Sequence, residues 1–271
     1  MDFFWIILAS FSASAYGALV GFGGGVFMVP VLVLVFGYPI QYAVGAVVFS
    51  LIPSSLITTL LNNKERYVDY ITGSILELPT MAGVIIGSGL VAVLPKSYLE
   101  YIFVIIISMV GISFLWKTKD ISEKGSIWQG LNAHHPYFTK RNSSGEILYR
   151  VNYLLAAFFG LLSGCLAGLL GVGGGFLKTP IMIKVFRIPV KIAAGTALFM
   201  ILITSLTSTA SHYLLGHILW KYTFPVIIGF IIGPFLAHKI KKKLSSLHLE
   251  KLVGVSLILA ALVMLMNILL K

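Results

Sequence analysis

Acidic residues are scarce in this chain: Asp and Glu together number 9 among 271 residues, and charged residues of both signs make up 11%. Water-soluble domains carry about 25% charged residues, so a soluble enzyme and a solvated disordered chain are both excluded. There is one cysteine, Cys165, which rules out a disulfide-stapled secreted scaffold. No group of His, Cys, Asp and Glu has metal-ligand spacing; His134-His135 fall in a polar stretch, and His212 and His217 lack company. No metal and no other cofactor is expected. Glycine runs are present, but no strand precedes them and no Gly-Lys-Ser/Thr follows, so a phosphate-binding loop, and with it direct use of nucleotide energy, is set aside.

What is abundant is apolar surface. Hydrophobic residues reach 58% and the mean hydropathy is +0.97, more than a core of this size can hide, so the chain must face lipid. The 20 Lys and Arg sit mostly between apolar runs, as in cytoplasmic loops of a membrane protein rather than in a nucleic-acid patch. Apolar stretches at about 3–20, 40–61, 70–94, 98–116, 151–170, 190–214, 222–238 and 248–270 are each long enough to cross roughly 30 Å of hydrocarbon as helices. Two shorter runs, 26–37 and 176–186, follow glycine clusters and are too short to cross unaided. Ala13-Ser14-Ala15 resembles a signal-peptidase site. A similar segment recurs in mid-chain, so the first run is expected to be a structural helix.

An internal repeat organises the chain. Gly21-Phe22-Gly23-Gly24-Gly25-Val26-Phe27-Met28-Val29-Pro30 returns as Gly171-Val172-Gly173-Gly174-Gly175-Phe176-Leu177-Lys178-Thr179-Pro180, and the register holds through Pro39/Pro189, Gly45/Gly195 and Thr59/Thr209. The domains are therefore a first membrane repeat (1–116), a cytoplasmic linker (117–150) and a second membrane repeat (151–271). Loop charge sets the orientation. Lys239, Lys241, Lys242 and Lys243, the linker, the Lys64/Arg66 loop and the Arg187/Lys191 turn fall inside. Lys96, Lys221 and Lys271 are left outside. Five membrane segments per half, counting the short one as crossing or re-entrant, make the two repeats inverted with both termini outside. The fold class is all-α and polytopic.

Three consecutive glycines at membrane depth expose backbone groups that lipid cannot satisfy, so they need a cavity. Gly23, Gly24 and Gly25 with Gly173, Gly174 and Gly175 each precede a short helix whose N-terminus favours an anion; packing of close helices is the competing role. Lys178 lies just past the second loop, where a lysine is expensive and functional by default unless it snorkels to the interface. Ser50, Thr196 and Thr204, with Ser54, Ser55 and Ser205, offer hydroxyls to an anion, or to carbonyls of their own helix. Glu77 is the acidic residue well inside an apolar run and is a proton-coupling candidate.

Gly-Leu-Leu-Gly-Val-Gly-Gly-Gly-Phe at 168–176, Pro180, Pro189, Ala-Gly-Thr-Ala-Leu-Phe at 194–199 and the stretch from His212 to Gly216 resemble the sulfite exporter TauE/SafE family, over nearly the whole chain. The resemblance implies transport of sulfur-containing anions such as sulfite, sulfoacetate or other organosulfonates, in agreement with the anion site read from the residues. The first half departs from the pattern, with Val47 where the second half has Ala197 and Ala46 where it has Thr196. The expected function is secondary transport by alternating access, in the plasma membrane, without catalysis. The expected partners are a small anionic substrate, the bilayer and a coupling proton or sodium ion. A passive anion channel is the first alternative and a membrane-embedded enzyme the second; a monomer and a homodimer are both compatible with the pattern.

Overall fold

The computed structural model describes residues 2–115, 127–134, 136–141, 145–170 and 173–241, with a few positions between 251 and 268. Gly171 and Val172 of the second glycine motif, His135, Lys242, Lys243, much of the 117–150 linker and most of the 248–270 run lie outside the described residues. The described chain is α-helical apart from one hairpin. Helices α1 (Asp2–Val20), α2 (Gly25–Leu34), α3 (Ile40–Lys64), α4 (Tyr70–Val93) and α5 (Lys96–Leu115) form the first half. Helices α7 (Tyr153–Leu170), α8 (Gly175–Lys184), α9 (Val190–Leu214) and α10 (Trp220–Lys241) belong to the second. Between them lie a short helix α6 (Ile127–Ala133) and the antiparallel strands β1 (Tyr137–Arg141) and β2 (Ile147–Asn152). The sequence reading expects a plain connector there. Six of the described helices are long and apolar enough to span a bilayer.

The repeat is visible element by element. Helices α2 and α8 are both 10 residues long and α3 and α9 both 25, displaced by 150 positions. Each long helix starts after a proline, Pro39 or Pro189, whose fixed φ suits an extended residue before a helix. Even the turns match: Gly37 and Arg187 share a left-handed backbone, as do Arg66 and Gly216. Packing exchanges partners between the halves, with α1 lying along α10 and α7 along α4. Gly45, near the start of α3, abuts the His217 carbonyl just beyond the end of α9. Its counterpart Gly195, near the start of α9, abuts the Tyr67 carbonyl just beyond the end of α3. The two equivalent helices therefore run antiparallel.

Close approach depends on missing side chains, as expected where lipid supplies no hydrophobic drive between helices. A Cβ on Gly164 of α7 would stand 2.0 Å from the Thr80 carbonyl oxygen of α4, and one on Gly87 of α4 would stand 1.9 Å from the Cys165 carbonyl oxygen. This contact holds the α4 segment carrying Glu77 firmly against α7. Gly164→Ala forces the helices apart and lowers detergent-phase stability by about 1–3 kcal/mol. Gly89→Ala, on a surface with nothing within 4 Å, is neutral or stabilising by up to about 1 kcal/mol. Thermal unfolding of the two variants beside the parent checks both outcomes.

Candidate functional site

The second glycine loop turns α7 into α8. Gly174 adopts φ 70° at the N-cap of α8, a left-handed conformation that glycine takes without strain, and Lys178 follows one turn later. The Lys178 ammonium donates to Glu77 Oε2 at 2.7 Å. The Thr204 hydroxyl of α9 bridges the pair, accepting from Lys178 and donating towards Glu77 Oε1. Three helices thus bring together residues that lie 101 and 26 positions from Lys178 in sequence. Glu77 is 1% exposed, Lys178 3% and Thr204 0%. Lys178 does not snorkel; a carboxylate compensates it. The sequence reading treats Lys178 and Glu77 as separate candidates, and the structure joins them.

Leu76, Phe159, Gly160, Ser163, Ile181 and Met200 line, together with Lys178, a cavity of about 10 Å³, room for about one water. In such apolar walls an ion pair is held by mutual attraction, and removing one partner strands the other. Across the repeat, Lys178 and Thr204 of the second half correspond to Met28 and Ser54 of the first, and Glu77 of the first half to Thr223 of the second. There Ser54 bonds Ser14 at 3.0 Å, Met28 Sδ accepts from Ser10 at 3.6 Å, and Thr223 donates to its own helix at the Leu219 carbonyl. The repeat carries its charge on one side alone among the described residues.

The glycine loops meet, but they are packed shut. Thr179 donates to the Gly21 carbonyl at 3.1 Å, linking the second loop to the first. A Cβ on Gly23 or on Gly173 would press on Leu51 and Ile201, which are themselves repeat partners. One on Gly24 would stand 2.6 Å from the Ala13 carbonyl oxygen, one on Gly175 2.4 Å from Ile201, and one on Gly174 3.3 Å from the Lys178 side chain; Gly25 is buried. The irregular backbone is covered by protein, which is how it is tolerated at this depth. Of the hydroxyls, Thr204 joins the charged pair. Ser50 donates to the Ala46 carbonyl, Ser55 to Leu51 and Ser205 to Leu202. Thr196 accepts the Asp69 N–H at 2.9 Å.

A second polar cluster, which sequence reasoning missed, sits at the start of α4. The Asp69 carboxylate caps that helix by accepting from the Ile71 and Thr72 N–H groups. It also accepts the Tyr149 hydroxyl of β2 and faces Lys140 of β1 at 3.3 Å. Burial works to raise the Asp69 pKa, but the Tyr149, Thr72 and Lys140 interactions outweigh it and leave it below the ordinary value; Tyr149 is raised by burial and by the carboxylate. The hairpin is pinned to the α3–α4 loop. Lys191, over the Tyr67 ring, joins the same end of the bundle. An acidic residue capping a helix beside a basic, tyrosine-bearing linker was the available signal.

A family model described as Sulfite exporter TauE/SafE matches residues 6–264. Probable membrane transporter protein YunE of Bacillus subtilis is 28% identical over 269 residues, 96% of each chain. Probable membrane transporter protein YdhB of the same organism is 21% identical over 261 residues, 96% of this chain and 99% of that one. Sulfite exporter TauE/SafE family protein 1 of Arabidopsis thaliana is 34% identical over 88 residues, 32% of this chain and 19% of that one. No solved structure matches.

Lys178→Met and Glu77→Gln each strand a buried charge or donor and lower unfolding stability by about 3–5 kcal/mol, while the double variant recovers most of the loss. A double-mutant cycle on thermal midpoints in detergent measures this. Strictly additive losses would mean that the pair does not interact.

Proposed function

The chain belongs to the sulfite exporter TauE/SafE family of membrane transporters, and on that premise we propose that it is a secondary transporter of small sulfur-containing anions. Sulfite, sulfoacetate and other organosulfonates are the substrate class. The observation that carries this reading is Lys178, a cation 3% exposed at the start of a broken helix, paired with a carboxylate. An anion of similar size and charge to that carboxylate takes the same ammonium beside Thr204. The N-termini of α2 and α8 add their dipoles, and the glycine loops reach the anion when the packing around Leu51 and Ile201 loosens.

Alternating access fits the small size of the cavity. A space for about one water lies between two halves that must part towards one side and then the other. The antiparallel run of α3 and α9 supports inverted repeats. The cluster of Asp69, Lys140, Tyr67 and Lys191 gathers the basic linker and two basic turns at one end of the bundle. That is the end a cytoplasmic orientation requires. Glycines 23–25 and 173–175 are hinge and contact elements of the same site, and Ser50 and Thr196 lie on the long helices that frame it.

Replacing Lys178 by Met removes a charge-assisted contact and weakens sulfonate binding about tenfold to a hundredfold. The double variant Lys178→Met/Glu77→Gln, which keeps no stranded carboxylate, loses affinity to the same degree. Calorimetry with methanesulfonate, sulfite and sulfoacetate at fixed ionic strength reads this. Unchanged affinity in both variants would remove Lys178 from the site.

A further inference from the structure

We propose that each anion crosses together with one proton carried on Glu77, so that the site is neutral both empty and loaded, and that the anion it takes is singly charged. This rests on the transporter reading above. Empty, the site holds one ammonium and one carboxylate in contact. A bound anion displaces the carboxylate from Lys178. If Glu77 remained ionised, a site whose Glu77, Lys178 and Thr204 are all buried beside Leu76 and Met200 would hold a net negative charge, at several kcal/mol per unpaired ion. A proton on Glu77 cancels it. A dianion, sulfoacetate included, would leave the loaded site negative even then, so within the proposed class the site takes hydrogensulfite and monosulfonates in preference.

Thr204 is placed to accommodate the change. Its hydroxyl lies within hydrogen-bond reach of Glu77 Oε1 and also 3.0 Å from the Met200 carbonyl. With Glu77 ionised, the hydroxyl donates to the carboxylate. With Glu77 protonated, the new carboxyl O–H donates to the Thr204 oxygen, and the threonine turns its own proton to Met200. The proton enters from water on the side to which the site opens and leaves on the other.

Among the described residues, few other titratable groups compete. From α8 the group facing Glu77 is Lys178, and from α9 it is Thr204, with His212 about two turns further on and tied to the Gly168 carbonyl and His217. From α7 come Ser163, whose hydroxyl serves Gly160, and Cys165, whose backbone meets Gly83 and Gly87. On α4 itself, Asp69 lies two turns away and serves the hairpin.

The test uses purified protein in liposomes with a pH dye in the lumen and methanesulfonate as probe. Methanesulfonate is the anion of a strong acid and cannot itself carry a proton. An inward methanesulfonate gradient should acidify the lumen at a rate that a potassium diffusion potential does not change, whereas sulfate should not exchange. Wild-type affinity for methanesulfonate should fall about tenfold per unit between about pH 6 and 8, as uptake of one proton per anion requires. Glu77→Gln, which copies the protonated state, should exchange labelled methanesulfonate without moving protons and bind it independently of pH. The wild-type arms stand whether or not that variant folds. Net methanesulfonate uptake without acidification, voltage-driven uptake, efficient sulfate uptake, or acidification that survives in Glu77→Gln overturns the proton inference and leaves the transporter reading intact. Absence of exchange for methanesulfonate, sulfite and sulfoacetate alike overturns both.

Discussion

A lysine and a glutamate cannot stand apart in the middle of an apolar bundle, and much of the architecture serves their meeting. The cost of an uncompensated charge at that depth is met by α4, which presents Glu77 to Lys178 of α8, and by α9, which supplies Thr204 between them. The glycines of α4 and α7 let those helices approach until carbonyl oxygens nearly touch α-carbons. In the proposed transport, a substrate anion is the rival of Glu77 for the ammonium.

The two halves share a backbone but not a chemistry. Helix lengths, left-handed turns and the Gly45 and Gly195 approaches repeat across 150 positions. Yet the repeat equivalent of Lys178 and Thr204 of the second half with Glu77 of the first is Met28 and Ser54 of the first half with Thr223 of the second. Among the described residues, the Lys178–Glu77 pair has no charged counterpart across the repeat.

Much of this frame is legible in the sequence, because hydropathy, prolines and a repeated glycine motif are local signals. The expected run 190–214 coincides with α9, and 40–61 falls three residues short of the end of α3. The pairing was not legible. Lys178 and Glu77 lie 101 positions apart, and the repeat offers no charged counterpart to either, so symmetry argued against Glu77. Ser50 and Thr196 looked equivalent to Thr204, since a buried hydroxyl can serve its own helix, a loop or a ligand, and tertiary packing decides which. The Asp69 cluster joins residues 80 positions apart through a hairpin, which no periodicity announces.

The central claim is that the Lys178 site opens in turn to both sides of the membrane. Ser163 lines its cavity, so a single cysteine there, in a Cys165→Ser background, reports access directly when an impermeant thiol reagent is applied to right-side-out and to inside-out vesicles. The account predicts labelling from both sides, slowed in each case by methanesulfonate. Labelling from one side alone, or from neither, would contradict it.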